Sequence, residues 1–229
     1  MEEVTTMYAV LYTSVLGLAL FTAPALVAQS ANASKEDPDK PVQGGGSLPA
    51  GWSARPDKEG QLANVKFVTM EPGYHLTLGP ATILYRQKDH AKGPFHTLAK
   101  FDQTKKLKHS EGYGLFMGGQ SLAGKAQKYT YFLVRDDGSY LIKRRDGEAT
   151  TNVSKGWTAH PAVKKADAQG RASNLLEIDA KQNPNRIEFK VNGQMVHAAD
   201  AKTMDLKGIV GLRVNHNLDV HIQDFDLHQ

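Results

Sequence analysis

Within the stretch Lys128–Glu148, KYTYFLVRDDGSYLIKRRDGE, five side chains have the chemistry of ligand recognition: Tyr129, Tyr131, Arg135, Tyr140 and Arg144. Aromatic rings accept the apolar C–H faces of sugars, and a guanidinium donates to hydroxyl or carboxylate oxygens in a fixed fork. The competing reading is a covered sheet face on which Tyr and Arg stack on one another as cation–π pairs. Gln120, Trp157, Asn215 and His216 are expected in loops that could line the same groove, since rigid sheets present their binding groups on loops.

Other chemistry is less well represented. Cleaving a glycosidic bond takes two carboxyl groups about 5 to 10 Å apart. The close acid pairs, Asp136/Asp137, Glu177/Asp179 and Asp224/Asp226, all fall in a turn or on the polar parity of a strand, so no catalytic residue is assigned. Asp136-Asp137-Gly138 could contribute to a calcium shell, but nothing nearby completes one, and turn chemistry accounts for it. Of the nine histidines, His216 and His221 share a terminal strand on opposite parities, and no three converge as a zinc site needs, so no metal and no cofactor is expected. There is no GxSxG elbow, and Gly44-Gly45-Gly46 opens no strand-to-helix phosphate loop. The chain has no cysteine, which excludes disulfides, thiolate metal sites and thiol catalysis.

The elements that must hold the Tyr and Arg side chains read as strands. Alternation of apolar and polar residues runs up to Asp137-Gly138 and resumes at Tyr140, the pattern of a hairpin closed by a two-residue type I′ turn. That turn sets Tyr131 opposite Arg144, Arg135 opposite Tyr140 and Leu133 opposite Ile142 on one face. Short alternating runs recur throughout: VKFVTM, YHLTL, ATILYR, FHTLAKF, YGLFMGG, EATTNV, NLLEIDA, RIEFKV, QMVHAAD, IVGLRVN and LDVHIQDFDLH. Asn192-Gly193 marks a second tight hairpin, and a parity change after Ile222 predicts a bulge near Gln223-Asp224. Twelve or thirteen strands with no helix beyond a turn imply a two-sheet antiparallel jelly-roll β-sandwich over residues 52–229.

Ahead of it, residues 1–33 read as a secretory signal peptide: no charge occurs from Val4 to Ser34, and small residues at Ala28 and Ala31-Asn32-Ala33 offer cleavage sites. Glu2 and Glu3 and the lack of an early Lys or Arg leave an uncleaved anchor as the alternative, the one case in which a membrane would be a partner. Residues 34–51, SKEDPDKPVQGGGSLPAG, read as a flexible linker. The expected location is secreted or periplasmic. The formal charge of +4 is scattered, and no nucleic-acid motif accompanies it.

The succession YGLFMGGQ, YTYFLVRDDGSYLIKRRDGE, NLLEIDA, RIEFKVNGQMV and GIVGLRVNHNLDVHIQDFDL resembles the concanavalin A-like, laminin-G-like jelly rolls of exported bacterial proteins, near the 3-keto-disaccharide hydrolase domain family. The likeness spans roughly Trp52 to Leu227 and implies a curved sandwich whose concave sheet can hold a polysaccharide or other glycan. The ExDxxE strand of the laminarinases is missing. A non-catalytic carbohydrate-binding or surface-interaction module is therefore the leading expectation, with a glycoside-cleaving enzyme and a protein-binding scaffold as alternatives.

Overall fold

The computed structural model describes Met1 and residues 38–229; the leader at 1–33 and the start of the linker lie outside the described residues, Met1 apart. The strands are β1 (Trp52–Pro56), β2 (Val65–Thr69), β3 (Tyr74–Leu78), β4 (Thr82–Ala91), β5 (His96–Gln103), β6 (Gly112–Gln120), β7 (Lys128–Arg135), β8 (Ser139–Asp146), β9 (Ala149–Asn152), β10 (Thr158–Ala159), β11 (Ala172–Asp179), β12 (Arg186–Val191), β13 (Gln194–Asp200), β14 (Gly208–Val214) and β15 (Asp219–His228). Helix among the described residues is confined to two 3-10 turns, Leu62–Asn64 and Ala201–Thr203.

An eight-stranded sheet has the order β1-β4-β14-β6-β7-β8-β10, with β9 also on β8, and a seven-stranded sheet has the order β13-β12-β11-β5-β15-β3-β2. This is the expected antiparallel sandwich. Its core follows from period-two alternation. Tyr113, Leu115 and Met117 of β6, Phe132 and Val134 of β7, and Leu212 and Val214 of β14 face Leu76, Phe101, Leu176, Ile178, Phe189 and Ile222 of the other sheet. Each such side chain contributes roughly 1.5 to 3 kcal/mol relative to exposure. The fully buried Tyr113 keeps its polar end satisfied, accepting a 3.2 Å hydrogen bond from Asn174.

Two sequence expectations about turns are met. Asn192 and Gly193 both take positive φ, 51° and 77°, between the paired Val191 and Gln194, as a type I′ turn requires. The register of β15 shifts between Gln223 and Asp226, and Asp224 has a φ of 55°, which places the bulge.

The central hairpin is a correction. Its loop holds three residues, Asp136-Asp137-Gly138, closed by a 3.1 Å bond from the Gly138 N–H to the Arg135 carbonyl, with Gly138 at φ 87°. Thus Val134 pairs with Tyr140, Phe132 with Ile142, Tyr131 with Lys143 and Tyr129 with Arg145. One extra loop residue turns every β8 side chain to the face opposite the expected one.

Part of the stretch expected as linker lies on the domain. Lys40 N donates to Asn217 Oδ1 at 2.8 Å, Gly46 N donates to the Val65 carbonyl at 3.0 Å, and Leu48 packs against the core. Backbone donors hold this segment, and composition does not display them.

Candidate functional site

The outer face of the eight-stranded sheet is built from the parity that does not enter the core. Ile83, Tyr85, Phe116, Leu122, Tyr129, Tyr131, Leu133 and Ile209 form a second apolar cluster there, with Trp157 packed against it. The rings of Tyr129 and Tyr131 lie 5.7 Å apart, and Phe116 is 5.2 Å from Tyr129. Asp57 follows β1 at one margin, and Arg145 lies on β8, five pairings away across the sheet, yet their side chains meet at 3.1 Å. The accumulated right-handed twist of the strands therefore brings opposite corners of the sheet together over this face.

Arg213, the penultimate residue of β14 and only 6% exposed, is the anchor of the polar groups there. It grips Asp57 with both terminal nitrogens, at 2.7 and 2.8 Å, and donates through Nε to Asn215 Oδ1 at 3.3 Å and through Nη1 to the Tyr129 hydroxyl at 3.4 Å. Its guanidinium sits 5.8 Å from the Tyr131 ring centroid. Arg145 adds the 3.1 Å bond to Asp57, and Arg55 Nη1 lies 4.0 Å from the same carboxylate. The Gln127 amide, oriented with its oxygen toward the two guanidiniums, accepts from Arg55 at 2.9 Å and from Arg145 at 3.2 Å. Burial on its own would raise the Asp57 pKa, but Arg213 and Arg145 outweigh it and hold the group at about 2. Burial pushes the Tyr131 phenol up.

Beside this network the face opens. A Cβ on Gly112 would lie 2.8 Å from Trp157 Cη2, so only glycine lets the indole settle on β6. The Arg135 guanidinium lies 4.3 Å from the centroid of the indole ring. Arg135 is held in turn by Asp137 at 2.7 Å and the Ser139 hydroxyl at 3.0 Å. Burial opposes ionisation of Asp137, but its bonds to Arg135 and Ser139 prevail and lower its pKa. Asn215 N donates to the Gly112 carbonyl at 2.8 Å, which sets Asn215 beside the glycine on which the indole rests, with its Oδ1 accepting from Arg213. Trp157, Arg135 and Asn215 are all partly exposed.

Of the residues expected at a site, Tyr129, Tyr131, Arg135, Trp157 and Asn215 share this face. Tyr129 and Tyr131 are buried at 2% and 8% exposure and stacked with Arg213, which matches the competing reading of a covered face for those two. Tyr140 and Arg144 are corrections: the three-residue loop puts both on the opposite side, Tyr140 in the main core and Arg144 on the Thr203 carbonyl. His216 bonds Asp39 at 2.6 Å and so fastens the 38–40 segment, and Gln120 is exposed at the far end of β6. The expectation missed Arg213, Asp57, Arg145 and Arg55. Arg213 carried a signal, a lone charge inside the apolar run GIVGLRV; Asp57, in the turn-like RPDKEG, carried none.

The acids of the Glu177/Asp179 pair have structural partners. Glu177 bonds His96 at 3.1 Å, and Asp179 bonds Lys190 at 3.0 Å and the N–H groups of Lys181 and Gln182 at 3.0 and 3.1 Å. Among the described residues no group of three or more His, Asp or Glu could hold a metal ion.

No protein-family profile matches the sequence, and no curated protein does. Among solved structures, the chain is similar to the carbohydrate-binding module CBM66 from Bacillus subtilis, with a TM-score of 0.55 at 12% identity over 78% of this chain and 96% of that one. It is also similar to the Emp46p carbohydrate recognition domain, with a TM-score of 0.52 at 13% identity over 78% of this chain and 88% of that one. At such identities the likeness establishes a lectin-like β-sandwich fold.

Proposed function

We propose that this chain is an exported carbohydrate-binding module that lays a sugar ring on Trp157. The observation that carries this reading is the partly exposed indole seated on Gly112 and braced by Arg135, with Asn215 on the strand end beside Gly112. An indole offers an apolar face to sugar C–H groups, and bracing it in advance lowers the entropy lost on binding. Arg135 and Asn215 supply donors and an acceptor for the hydroxyls at the ring's edge. The sandwich fold shared with CBM66 and the Emp46p recognition domain supports the assignment, and the run without charge from Val4 to Ser34 supports export.

The test is retention of the purified chain on a panel of neutral and acidic polysaccharides, with release of reducing sugar assayed in parallel. Because Trp52 is buried at 7% exposure, a change in tryptophan fluorescence on binding reports chiefly on Trp157. Trp157→Ala should weaken retention at least tenfold, the loss expected of an aromatic hot spot. Unchanged retention by the variant would sink the site, and release of sugar would move the chain to the glycoside-cleaving class.

A further inference from the structure

The charge on this face goes beyond what a neutral sugar needs. Arg55, Arg145 and Arg213 surround one carboxylate, Asp57, and their side chains are 13%, 15% and 7% exposed, with Asp57 at 24%. Arg213 and Asp57 satisfy one another as a bidentate pair, so Arg55 and Arg145 remain as an excess of two positive charges. Among the described residues, Nε and Nη2 of Arg55 and Nη2 of Arg145 have no hydrogen-bond partner. These two side chains, with Asp57 and Gln127, line a cleft of about 340 Å³, and Arg145 also lines a neighbouring cleft of about 300 Å³ with Lys202, Asp205 and the paired Lys128 and Asp146. The cleft's remaining charges are on its rim: Lys58 is engaged by Asp39 at 3.1 Å, and Lys125, Glu59 and Glu148 are exposed. Water and salt screen those rim charges, whereas a partly buried guanidinium attracts an anion several-fold more strongly.

Position joins this cleft to the indole. Asp57 pairs its N–H with the Ala81 carbonyl, and Asn215 does the same with Gly112, so Asp57, Ala81, Asn215 and Gly112 form one row across β1, β4, β14 and β6. Three strand spacings of about 4.8 Å separate its ends, a span suited to a short oligosaccharide.

Resting on the reading of this face as a glycan site, we infer that its ligand is an acidic glycan whose carboxylate or sulfate group is bound by Arg55 and Arg145. A planar guanidinium with two free N–H groups matches either anion in a bidentate fork, which a neutral hydroxyl does not use.

Calorimetric titration of the whole chain distinguishes the possibilities, with polygalacturonate, its fully methyl-esterified form, dextran sulfate and dextran as probes at low and high NaCl. Either acidic polymer should bind about tenfold or more tightly than its neutral counterpart, and the advantage should shrink as salt rises. Preference for polygalacturonate identifies carboxylate, and preference for dextran sulfate identifies sulfate. Arg55→Gln should erase most of that preference and leave binding of the neutral polymer unchanged, with Arg55→Lys restoring part of it. An unchanged thermal midpoint verifies that the variant is folded. Equal affinity for acidic and neutral polymers would overturn the inference while glycan binding stands, as would an acidic preference undiminished in Arg55→Gln, which would place the attraction on the basic surface at large. Absence of binding to all four probes and to the wider panel would overturn both.

Discussion

Asp57 concentrates the electrostatics of the outer face in a single carboxylate. It neutralises a 6% exposed guanidinium that cannot shed its proton, since burial works against the Arg213 charge but Tyr129 and Asp57 more than restore it. Asp57→Asn leaves Arg213 buried without a counter-charge, and urea unfolding should show a loss of about 3 kcal/mol at neutral pH. The folded pKa of about 2 lies below the ordinary 3.8, so the linked stability is complete above pH 3.8 and disappears as the pH falls through 2. That displacement corresponds to about 2 kcal/mol. The difference in stability between parent and Asp57→Asn should therefore narrow on acidification between those two values; a difference constant with pH would show that Asp57 acts through packing instead of charge.

At the level of elements, the strands were legible because period-two alternation and Gly, Pro and Asn punctuation are local signals. The NLLEIDA, RIEFKV and QMVHAAD strands and the Asn192-Gly193 turn are where those signals put them. The central hairpin was legible as a hairpin but not in register, since Asp137-Gly138 suits a two-residue turn as well as the last two positions of a three-residue one. That single residue decided that Arg145, and not Arg144, joins Tyr129 on the outer face. The convergence of Trp157, Arg135 and Asn215 followed from strand order and loop position. Arg213 with Asp57 was not legible, being a pairing across 156 residues created by the coil of a whole sheet. Deletions should expose the same logic. Removing Asp136 shortens the loop to Asp137-Gly138 and keeps Arg135 opposite Ser139, so a folded, soluble protein is expected. Removing Ser139 slides β8 by one, turning Tyr140 and Ile142 out of the core and Lys143 into it, and should abolish the cooperative thermal transition. Equal tolerance of both deletions would show that the core, and not the turn sequence, sets this register.

At the level of the whole domain, strands early in the sequence are joined to one another through the last two. β14 lies between β4 and β6 in one sheet, and β15 lies between β5 and β3 in the other, so the last strands of the chain occupy interior places in both. Nearly every pairing outside the hairpins joins residues distant in sequence, which makes folding slow. A chain ending before β14 should show no protected amide core by hydrogen exchange, and the whole chain should refold from urea over milliseconds to seconds; a stably folded truncation would refute this order of assembly. Neither sheet can close until the carboxyl-terminal strands exist. The growing polypeptide thus stays open while β1 to β13 are made, and the fold becomes resistant to unfolding only once β14 and β15 have filled the two gaps left between earlier strands.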